Sequence, residues 1–542
     1  LLLILVFCSF ISIIIFLLLV RLYYIQIIQK DFYTKEVNKQ RQIKIPVDTG
    51  RGIIFDRNYI PLTDREEERK LILLPQLFIR NEENLDYIMS ITNMDIKELA
   101  RKINYSKYPI EFSIKDESVT DRVLKIRGLF IINKKQRYSD NPILTHILGY
   151  INQVDKRGMA GLEKAFDNIL MGQPTQVLAI TLDGRKHLIP GEGYSFVSSS
   201  KIKKDIRLTI DYHIQNIIED VIDKHNKKGA IIVSDTSTGE ILASVSRPNY
   251  NPNQLVEHLG SDGDELYNKA IQITSPPGSI FKIIIAAEAI EKNMIKLNET
   301  FNCRGYEMVN NVKIKCGSHK DQTDLELTFE DAFAQSCNST FIQLGQRLDI
   351  EGIIDMAVKL GLGNKVGLGL LEEEAGILPQ GDELLGPAIA NISIGQGNIE
   401  VTPIQINQLT QIIANDGVRQ RLYILDDILN DYETVETFNR EKEARVLSRK
   451  TAKELQVLMQ AVMVRGTGKG IGHLSKITAG KTGTAQTSRL GKPIQNAWFT
   501  GYYPSNLPKY AITIFIQEDG SGGDVAVPIF KDIVESIEYL DY

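Results

Sequence analysis

The sequence predicts an α+β protein with a transmembrane helix, then a mixed α/β domain, then a domain in which a central antiparallel sheet is flanked by helices. Three observations lead to this prediction. The first 20 residues carry no charge, strand-like segments stand at both ends of the C-terminal region, and helical segments lie between them. Strands from the two ends of a segment, with helices between them, favour an antiparallel sheet with helices packed on it. The predicted boundaries are 1–22 for the anchor, 23–200 for the first domain and 205–542 for the second.

The chain begins with LLLILVFCSFISIIIFLLLV, whose length matches the roughly 20 apolar residues that a membrane-spanning helix needs. RLYYIQIIQK follows, with Tyr23 and Tyr24 as interfacial anchors and without the small residues of a signal-peptide cleavage site. We therefore predict a single-pass anchor in the lipid bilayer. Arg21 and Lys30 by themselves favour the cytoplasm for the C-terminal flank, so charge alone leaves the orientation open.

Composition excludes one class of partner. The 542 residues are 43% hydrophobic, which suffices for several ordinary cores, and the formal net charge is -5. This balance provides no basic face, so we expect no nucleic-acid partner.

The first domain is predicted to be mixed in structure. VDTGRGIIFDRNYIPL at 47–62 places turn residues around short apolar runs, which indicates a strand and a hairpin. Three charged stretches between 64 and 105, EEERKLILL, NEENLDYIMSI and DIKELARKI, have helical spacing. A loop and helix region follows at 143–174, and the polar, Gly/Ser-rich GEGYSFVSSSKIKKD at 191–205 predicts a linker.

The second domain opens with a predicted strand and amphipathic helix in IRLTIDYHIQNIIEDVIDKH, at 206–225. GAIIVSDTSTGEILASVS, at 229–246, has two apolar runs around a turn, which predicts a hairpin. Helical segments extend from 279 to past 460, and strand-like segments return in ITAGKTGTAQ, NAWFTGYYP and YAITIFIQED before a last helix. These segments are the basis of the predicted antiparallel sheet.

Three short motifs occur in order within this second domain. They are Ser279-Ile280-Phe281-Lys282, Ser336-Cys337-Asn338 and Lys481-Thr482-Gly483. Penicillin-binding proteins and serine β-lactamases share the set Ser-x-x-Lys, Ser-x-Asn and Lys-Thr-Gly. A single member is a weak signal, since Ser-x-x-Lys alone occurs three times in this chain. The order and completeness of the set therefore carry the inference.

The residue types of these motifs suit nucleophilic acyl transfer. A serine hydroxyl is a poor nucleophile without a neighbouring base. Lys282, one helical turn after Ser279, could take the proton if burial and the nearby charge of Lys481 lower its pKa. Ser336 and Asn338 can relay that proton and hold the amide of the substrate. We predict these five residues as the catalytic set.

A substrate carboxylate would bind to the third motif. Lys481 and the hydroxyls of Thr482 and Thr484, with Gly483 between them on a strand edge, offer one positive charge and two hydrogen-bond donors. The developing oxyanion needs two backbone N–H donors, and the position of Ser279 at a helix N-terminus favours one of them.

Beyond the motifs, the chain resembles the class B penicillin-binding proteins over nearly its whole length. The matching segments include LTIDYHIQ, GAIIVSDTSTGEILASVSRPNYNPN, SIGQGNIEVTPIQ, RGTGKG and NAWFTGYYP. The resemblance implies a peptidoglycan D,D-transpeptidase in which Ser279 takes the acyl group from the penultimate D-Ala of a stem peptide and passes it to an amine. It also implies that β-lactams acylate the same serine, that the amide of Thr484 is the second oxyanion donor, and that catalysis needs no cofactor.

The first domain resembles the pedestal of class B proteins, a dimerisation-like and non-catalytic domain. GRGIIFDR at 50–57 and GLEKAFD at 161–167 look like its motifs, and we predict that their charged residues form structural ion pairs. Class A proteins carry a glycosyltransferase in this place. The resemblance further implies a cytoplasmic N-terminus, an extracytoplasmic catalytic domain and a polytopic SEDS-type glycosyltransferase as partner. Roles in elongation, division and sporulation all stay open.

Two other functions remain as alternatives. A β-lactam sensor or a class D-like β-lactamase shares the serine and two of the motifs, but the pedestal motifs and the strand around Trp498 and Phe499 argue against it. A catalytically silent cell-wall scaffold is disfavoured because every motif residue is intact. Turnover of β-lactams tests the first alternative, and covalent labelling at Ser279 tests the second.

The cysteines suggest a metal site. Cys8 lies in the predicted membrane span, which leaves Cys303, Cys316 and Cys337 outside it, an odd number that disulfides cannot pair within one chain. Cys316-Gly-Ser-His319 has ligand-like spacing, and three thiolates with one imidazole form the set of a closed structural zinc site. Some class B relatives carry a metal at this place, with more oxygen ligands. A Cys303/Cys316 disulfide with Cys337 free is the alternative that an oxidising exterior favours.

Overall fold

The structure is a computed structural model of the full chain. It describes residues 2–92, 94–106, 108–114, 120–123, 125–152, 154–172, 174, 176–183, 194–198, 204–259, 264–319, 324–430, 432–438, 443–489, 492–518 and 520–540. Most of the predicted linker, at 191–193 and 199–203, lies outside the described residues.

The α-helices in these ranges have the following bounds. They are α1 (Leu2–Tyr23), α2 (Lys30–Arg41), α3 (Glu82–Thr92), α4 (Ile96–Tyr105), α5 (Thr120–Val123), α6 (Thr145–Leu148), α7 (Gly161–Ala165), α8 (Asp167–Leu170), α9 (Tyr212–Lys224), α10 (Leu255–Leu259), α11 (Lys282–Glu291), α12 (Phe329–Ala334), α13 (Asn338–Arg347), α14 (Ile350–Lys359), α15 (Ala388–Ser393), α16 (Pro403–Ala414), α17 (Arg449–Arg465) and α18 (Val527–Glu538). Short 3₁₀ turns occur at Gly278–Phe281, Gly381–Leu384 and Gly472–Lys476, and π-turns at Tyr24–Ile28 and Gly522–Ala526.

The strands are likewise numbered in chain order. They are β1 (Gln42–Pro46), β2 (Ile54–Phe55), β3 (Glu66–Leu73), β4 (Ile110–Ser113), β5 (Leu129–Gln136), β6 (Gln176–Thr181), β7 (Tyr194–Ser198), β8 (Asp205–Leu208), β9 (Gly229–Asp235), β10 (Ile241–Arg247), β11 (Thr300–Cys303), β12 (Tyr306–Val309), β13 (Val312–Lys315), β14 (Leu325–Thr328), β15 (Val418–Arg419), β16 (Leu425–Asn430), β17 (Glu433–Thr437), β18 (Ala444–Arg445), β19 (Ala479–Arg489), β20 (Lys492–Tyr503) and β21 (Tyr510–Ile516).

The chain divides into two compact units. The first comprises Leu1–Arg51, Asp64–Arg137 and Gly172–Lys203, and the second comprises Gly52–Thr63, Tyr138–Met171 and Lys204–Tyr542. Two segments that carry the pedestal motifs, 52–63 and 138–171, thus pack with the C-terminal unit.

The N-terminal helix has the length and composition of a membrane span. Helix α1 and the π-turn after it form an apolar stretch of 27 residues, Leu2–Ile28, with no buried residue in its most apolar window. Within the described residues it is the one helix that is long and apolar enough to cross a membrane. The predicted single span is therefore confirmed in length and composition.

The first unit contains two three-stranded sheets, in the orders β1-β6-β7 and β4-β3-β5. The prediction of a helix for EEERKLILL is wrong, because this stretch forms β3. Leu71, Ile72 and Leu73 are fully buried, and β3 pairs antiparallel with β4 on one side and β5 on the other. Burial against two neighbouring strands outweighs the weak helical preference of the charged half. NEENLDYIMSI and DIKELARKI contain the helices α3 and α4, as predicted.

The second unit is built on a five-stranded antiparallel sheet in the order β10-β9-β21-β20-β19. Strands β9 and β10 come from the start of the predicted domain at 205–542 and the other three from its end, which confirms the predicted sheet. Helix α11 is buried from Lys282 to Ile290 because its sequence, KIIIAAEAI, is apolar apart from Lys282 and Glu288. Strand β19 forms one edge of the sheet and contains the Lys481-Thr482-Gly483 motif. The edge strand and the start of α11 build the site described next.

Candidate active site

Ser279 lies in the 3₁₀ turn Gly278–Phe281, which leads directly into α11. Gly278 has a φ of +54°, and a Cβ on it would lie 2.4 Å from the backbone oxygen of Thr484. Its N–H donates to the carbonyl of Gly395 at 2.9 Å. Only glycine allows the turn to approach β19 this closely. Ser279 is partly exposed between the buried neighbours Gly278 and Ile280.

Lys282 is the first residue of α11 and is completely buried. Its Nζ donates to the carbonyl of Ser336 at 2.7 Å, to the hydroxyl of Ser336 at 3.1 Å and to Oδ1 of Asn338 at 2.7 Å. Burial lowers the pKa of Lys282 to about 8, against the opposing effect of negative charge on the sulfurs of Cys337 and Cys316. The structure therefore brings the first and second motifs into one hydrogen-bonded network.

Lys481 joins the same network from the sheet edge. Its Nζ donates to Ser336 Oγ at 3.1 Å and to the carbonyl of Thr482 at 3.0 Å, and its side chain is completely buried. Burial, and then the charge of Lys282, hold the pKa of Lys481 well below its usual value. The hydroxyl of Ser336 therefore bridges two buried lysines.

Ser336 has an unusual backbone conformation in the turn between α12 and α13. Its φ is +57°, a left-handed value that non-glycine residues rarely adopt. Strain of this kind persists where the surrounding structure requires it, and it is common at active sites. Here it directs the carbonyl and the hydroxyl of Ser336 toward Lys282.

The expected contact between Ser279 and its base is not formed in this geometry. Among the side chains that the structure describes, none forms a hydrogen bond with the hydroxyl of Ser279. Catalytic hydrogen bonds often form only when substrate is bound. The catalytic roles of the five residues therefore stay predictions. Four of the residues lie in one hydrogen-bonded network, and Ser279 lies beside it.

The third motif lies against the Ser279 turn. A Cβ on Gly483 would lie 2.8 Å from Ile280 Cγ1 and 2.9 Å from the carbonyl of Pro277, so glycine is needed there for close packing. The hydroxyl of Thr484 accepts a hydrogen bond from the N–H of Gly522 at 3.3 Å.

One contact of the third motif was not foreseen. The hydroxyl of Thr482 lies 2.5 Å from that of Thr467. Sequence reasoning did not single out Thr467 as a site residue, although it lies in the RGTGKG segment of the resemblance.

The pedestal-type motifs of the second unit make structural contacts. Asp56 is fully buried and accepts backbone N–H groups of Asn58, Ile60 and Tyr212 at 2.8, 2.7 and 3.2 Å. Arg57 forms an ion pair with Glu240 at 3.0 Å. Asp56 was predicted to form an ion pair, but it binds backbone N–H groups. Arg57 forms an ion pair, as predicted.

The four predicted metal ligands form a buried cluster behind Ser336. Cys303 ends β11, Cys316 follows β13, and Cys337 directly precedes α13. The Sγ atoms of Cys303 and Cys316 each lie 3.7 Å from Nδ1 of His319, and the Sγ atoms of Cys316 and Cys337 lie 3.8 Å apart. All four ligand atoms lie within 4.8 Å of one another.

The donor set and its spacing fit a tetrahedral metal ion. Zinc bonds of about 2.3 Å to sulfur and about 2.0–2.1 Å to nitrogen give ligand-to-ligand edges of roughly 3.5–3.8 Å. His319 Nε2 lies 3.0 Å from Oε1 of Gln335, which can only accept, so Nε2 carries the proton and Nδ1 presents its lone pair to the thiols. This is the tautomer that a metal at Nδ1 requires.

A side chain of the same loop contacts the active-site network directly. The hydroxyl of Ser318 donates to the carbonyl of Ser336 at 3.1 Å, and this carbonyl also accepts from Lys282. The cysteine cluster and the catalytic network therefore share the turn at Ser336.

Two family models match the chain. The model described as Penicillin binding protein transpeptidase domain matches residues 229–535, and the model described as Penicillin-binding Protein dimerisation domain matches residues 46–186. Among curated relatives, Stage V sporulation protein D of Bacillus subtilis is 29% identical over 560 residues, covering 98% of this chain and 84% of that protein. Peptidoglycan D,D-transpeptidase FtsI of Buchnera aphidicola is 27% identical over 554 residues, covering 98% of this chain and 93% of that protein.

Solved structures of penicillin-binding proteins have the same fold. PBP2 from Helicobacter pylori superposes with a TM-score of 0.72 at 23% identity, covering 93% of this chain and 100% of that chain. PBP3 from Mycobacterium tuberculosis, complexed with aztreonam, gives a TM-score of 0.66 at 23% identity, covering 92% of this chain and 97% of that chain. These likenesses confirm the predicted fold class. With a transpeptidase model over more than half of its length and a dimerisation model before it, the chain belongs to the class B penicillin-binding proteins.

Proposed function

We propose that this chain is a serine-type peptidoglycan D,D-transpeptidase that cross-links stem peptides through an acyl-enzyme on Ser279. The observation that carries the proposal is the buried network in which Lys282, Ser336, Asn338 and Lys481 meet beside the partly exposed Ser279. Relatives named D,D-transpeptidases and structures of penicillin-binding proteins bound to β-lactams support the same activity.

In the first half-reaction, Ser279 Oγ attacks the carbonyl of the penultimate D-Ala and its proton passes to neutral Lys282. Burial supports this role, because a lysine with a pKa of about 8 is partly neutral near physiological pH. The tetrahedral intermediate collapses as the bond to the terminal D-Ala breaks. The departing amine takes the proton back, and the hydroxyl of Ser336 is the relay that the geometry offers.

In the second half-reaction, an amine of a neighbouring peptide attacks the ester carbonyl of the acyl-enzyme. The network accepts the proton of that amine and returns one to Ser279 Oγ as the ester bond breaks. The backbone N–H groups of Ser279 and Thr484 would stabilise the oxyanion in both steps. Lys481, Thr482 and Thr484 would bind the carboxylate of the terminal D-Ala in the first step.

Covalent labelling tests this proposal. A fluorescent penicillin should label the wild-type protein at Ser279, which mass spectrometry of the adduct peptide identifies, and Ser279→Ala should reduce labelling to background. Ser237→Ala is a matched control, because Ser237 is exposed in the turn between β9 and β10. Retained labelling of Ser279→Ala would contradict the assignment. Rapid release of hydrolysed β-lactam would instead indicate a β-lactamase, and absence of labelling in the wild type a silent scaffold.

We extend the proposal to location and partner. The apolar helix Leu2–Ile28 supports a single-pass anchor, and an extracytoplasmic catalytic unit follows from the substrate, which lies outside the membrane. A polytopic SEDS-type glycosyltransferase would supply the glycan strands, since a pedestal-type domain stands where class A proteins carry that activity. Protease digestion of spheroplasts should remove the catalytic unit, and affinity purification from native membranes should recover a polytopic glycosyltransferase.

We also propose a structural zinc ion bound by Cys303, Cys316, His319 and Cys337. The buried donor set and its 3.7–3.8 Å contacts support it. A zinc ion would supply no step of the reaction and would join the 299–320 loop to the Ser336 turn. Protein purified without chelator should contain about one equivalent of zinc, and Cys8→Ser in the membrane span is the control that should retain it. Zinc-free protein with a Cys303/Cys316 disulfide by mass spectrometry would end the zinc proposal.

A further inference from the structure

The RGTGKG segment at 465–470 has no part in the reaction proposed above, yet it lies against the third motif. Arg465 forms ion pairs with Glu330 at 2.5 Å and Asp331 at 2.9 Å, both in α12. The N–H of Thr467 donates to the carbonyl of Ala334 at 3.1 Å, two residues before Ser336. The segment is therefore fixed to the helix that leads into the catalytic turn.

Glycines on both sides of Thr467 allow this placement. A Cβ on Gly466 would lie 2.1 Å from the carbonyl of Ala334, and a Cβ on Gly468 would lie 2.5 Å from Met463 Sδ. Any larger residue would push the segment away from α12 and α17. The consequence is that one hydroxyl, that of Thr467, reaches Thr482 on the edge strand at 2.5 Å.

The chemistry of the two hydroxyls defines what this contact does. Each threonine hydroxyl has one hydrogen to donate, whereas a carboxylate can only accept. If Thr482 spends its hydrogen on Thr467, it has none for a carboxylate. If Thr467 donates to Thr482, the hydrogen of Thr482 is free to point into the cleft. A bound carboxylate selects the second arrangement, in which each hydrogen bond of the chain strengthens the next.

The hydroxyl of Thr484, on the same strand, is also bonded in a way that leaves its own hydrogen free. Thr484 Oγ1 accepts the N–H of Gly522 at 3.3 Å, which leaves its own hydrogen free to be donated. Thr482 and Thr484 thus each have a neighbouring hydrogen-bond donor, and this donor belongs to another segment of the chain and not to strand β19.

We propose that Thr467 is a positioning residue for carboxylate recognition: its hydroxyl donates to Thr482 and thereby orients the hydrogen of Thr482 toward the carboxylate of the substrate or of a β-lactam. This inference rests on the proposed function, because it presumes a carboxylate-binding site at Thr482 and Thr484. Thr467 acts through Thr482 and takes no part in the proton transfers at Ser279.

The test compares benzylpenicillin with its methyl ester, which lacks the carboxylate charge. Second-order acylation rates of both compounds are measured by intact-protein mass spectrometry, and the ratio of acid to ester reports carboxylate recognition. Thr467→Val keeps the shape of the side chain and removes the donor, so we expect this ratio to fall roughly two- to tenfold, the effect of one hydrogen bond between neutral hydroxyls. The loss should appear in the dissociation constant of the initial complex and leave the acylation step nearly unchanged.

Two further variants complete the design. Thr467→Ser retains the hydroxyl and should restore the wild-type ratio, and Thr437→Val, at an exposed position of β17, should leave both rates unchanged. Thr467→Ala replaces the valine variant if the latter does not fold. An equal fall of both rates, or an unchanged ratio, would overturn the role of Thr467. A wild-type protein that does not prefer the acid would instead refute the carboxylate site of the proposed function, and the role of Thr467 with it.

Discussion

The pH dependence of acylation tests the proposed base most directly. A lysine with a pKa of about 8 is neutral in roughly one molecule in ten at pH 7, against about one in 3,000 for the ordinary value of 10.5. Because only the neutral amine can accept the proton of Ser279, the acylation rate should rise about tenfold per pH unit below pH 8 and level off above it. Stopped-flow measurements with a fluorescent penicillin between pH 6 and 10 give this profile.

Two substitutions at Asn338 should move the midpoint of the pH–rate profile in opposite directions. Asn338→Asp places a carboxylate where the amide oxygen lies 2.7 Å from Lys282 Nζ, and a neighbouring opposite charge raises a lysine pKa by about 1–3 units. The midpoint should then rise to between about pH 9 and 11, and the rate at pH 7 should fall roughly 10- to 1000-fold. Asn338→Ala removes an acceptor that favours the charged amine, so its midpoint should fall.

Lys481 is the other lysine whose pKa is depressed, but its Nζ bonds to Ser336 and Thr482 and not to Asn338. A midpoint that responds to residue 338 is therefore the response expected of Lys282, the lysine that bonds directly to this residue. The reasoning would be refuted by a midpoint that stays in place in Asn338→Asp, or by a wild-type rate that falls as the pH rises toward 8.

Three further predictions concern other parts of the molecule. Lys282→Ala should reduce acylation nearly as much as Ser279→Ala, and the double variant should be no slower than either, because residues of one catalytic unit are not additive; a much slower double variant in single-turnover labelling would mean that Lys282 acts independently. Asp56→Ala removes a charged acceptor of three backbone N–H groups, so the free energy of unfolding in urea should fall by about 1–3 kcal/mol while the acylation rate of folded protein is retained. An acylation loss equal to that of Lys282→Ala would contradict this structural role. Cys337→Ser should release zinc, as measured by elemental analysis, and slow acylation without altering the site of labelling. Full acylation in zinc-free protein would mean that the cysteine cluster does not influence the active site.

The five-stranded sheet and the motif residues of the second unit were predictable from sequence because their signals are local or ordered along the chain. The hairpin at 229–246 and the strands near the C-terminus gave the antiparallel sheet, and the three motifs gave the residues that meet around Lys282. The cysteine set was predictable as a group, since ligand type and spacing are visible in the sequence. The sequence does not show which faces of the Ser336 turn these residues occupy. Only the folded structure shows that.

The misses have a common physical cause. EEERKLILL forms β3 because its backbone pairs with two strands that are distant in sequence, and no local pattern reports such partners. Thr467 contacts Thr482, although the two residues are 15 positions apart in the sequence. The glycines beside Thr467 make this contact possible because they allow close packing, which cannot be seen in a sequence. Asp56 was expected in an ion pair and instead binds backbone N–H groups, a choice that depends on where Tyr212 lies in space.

The turn at 336–338 gives one short peptide two environments, with Ser336 and Asn338 on Lys282 and the thiol of Cys337 in the cluster with Cys316. In genetic terms, the proposed mechanism predicts a class of β-lactam-resistance alleles whose codons specify residues that never touch the drug. The proposed mechanism predicts that a substitution that repacks the cysteine cluster displaces Ser336 and slows acylation by the drug. We expect such alleles to be self-limiting, because the proposed cross-linking reaction uses the same lysine and the same turn. Selection under antibiotic would therefore favour second-site changes that restore growth before resistance could rise further.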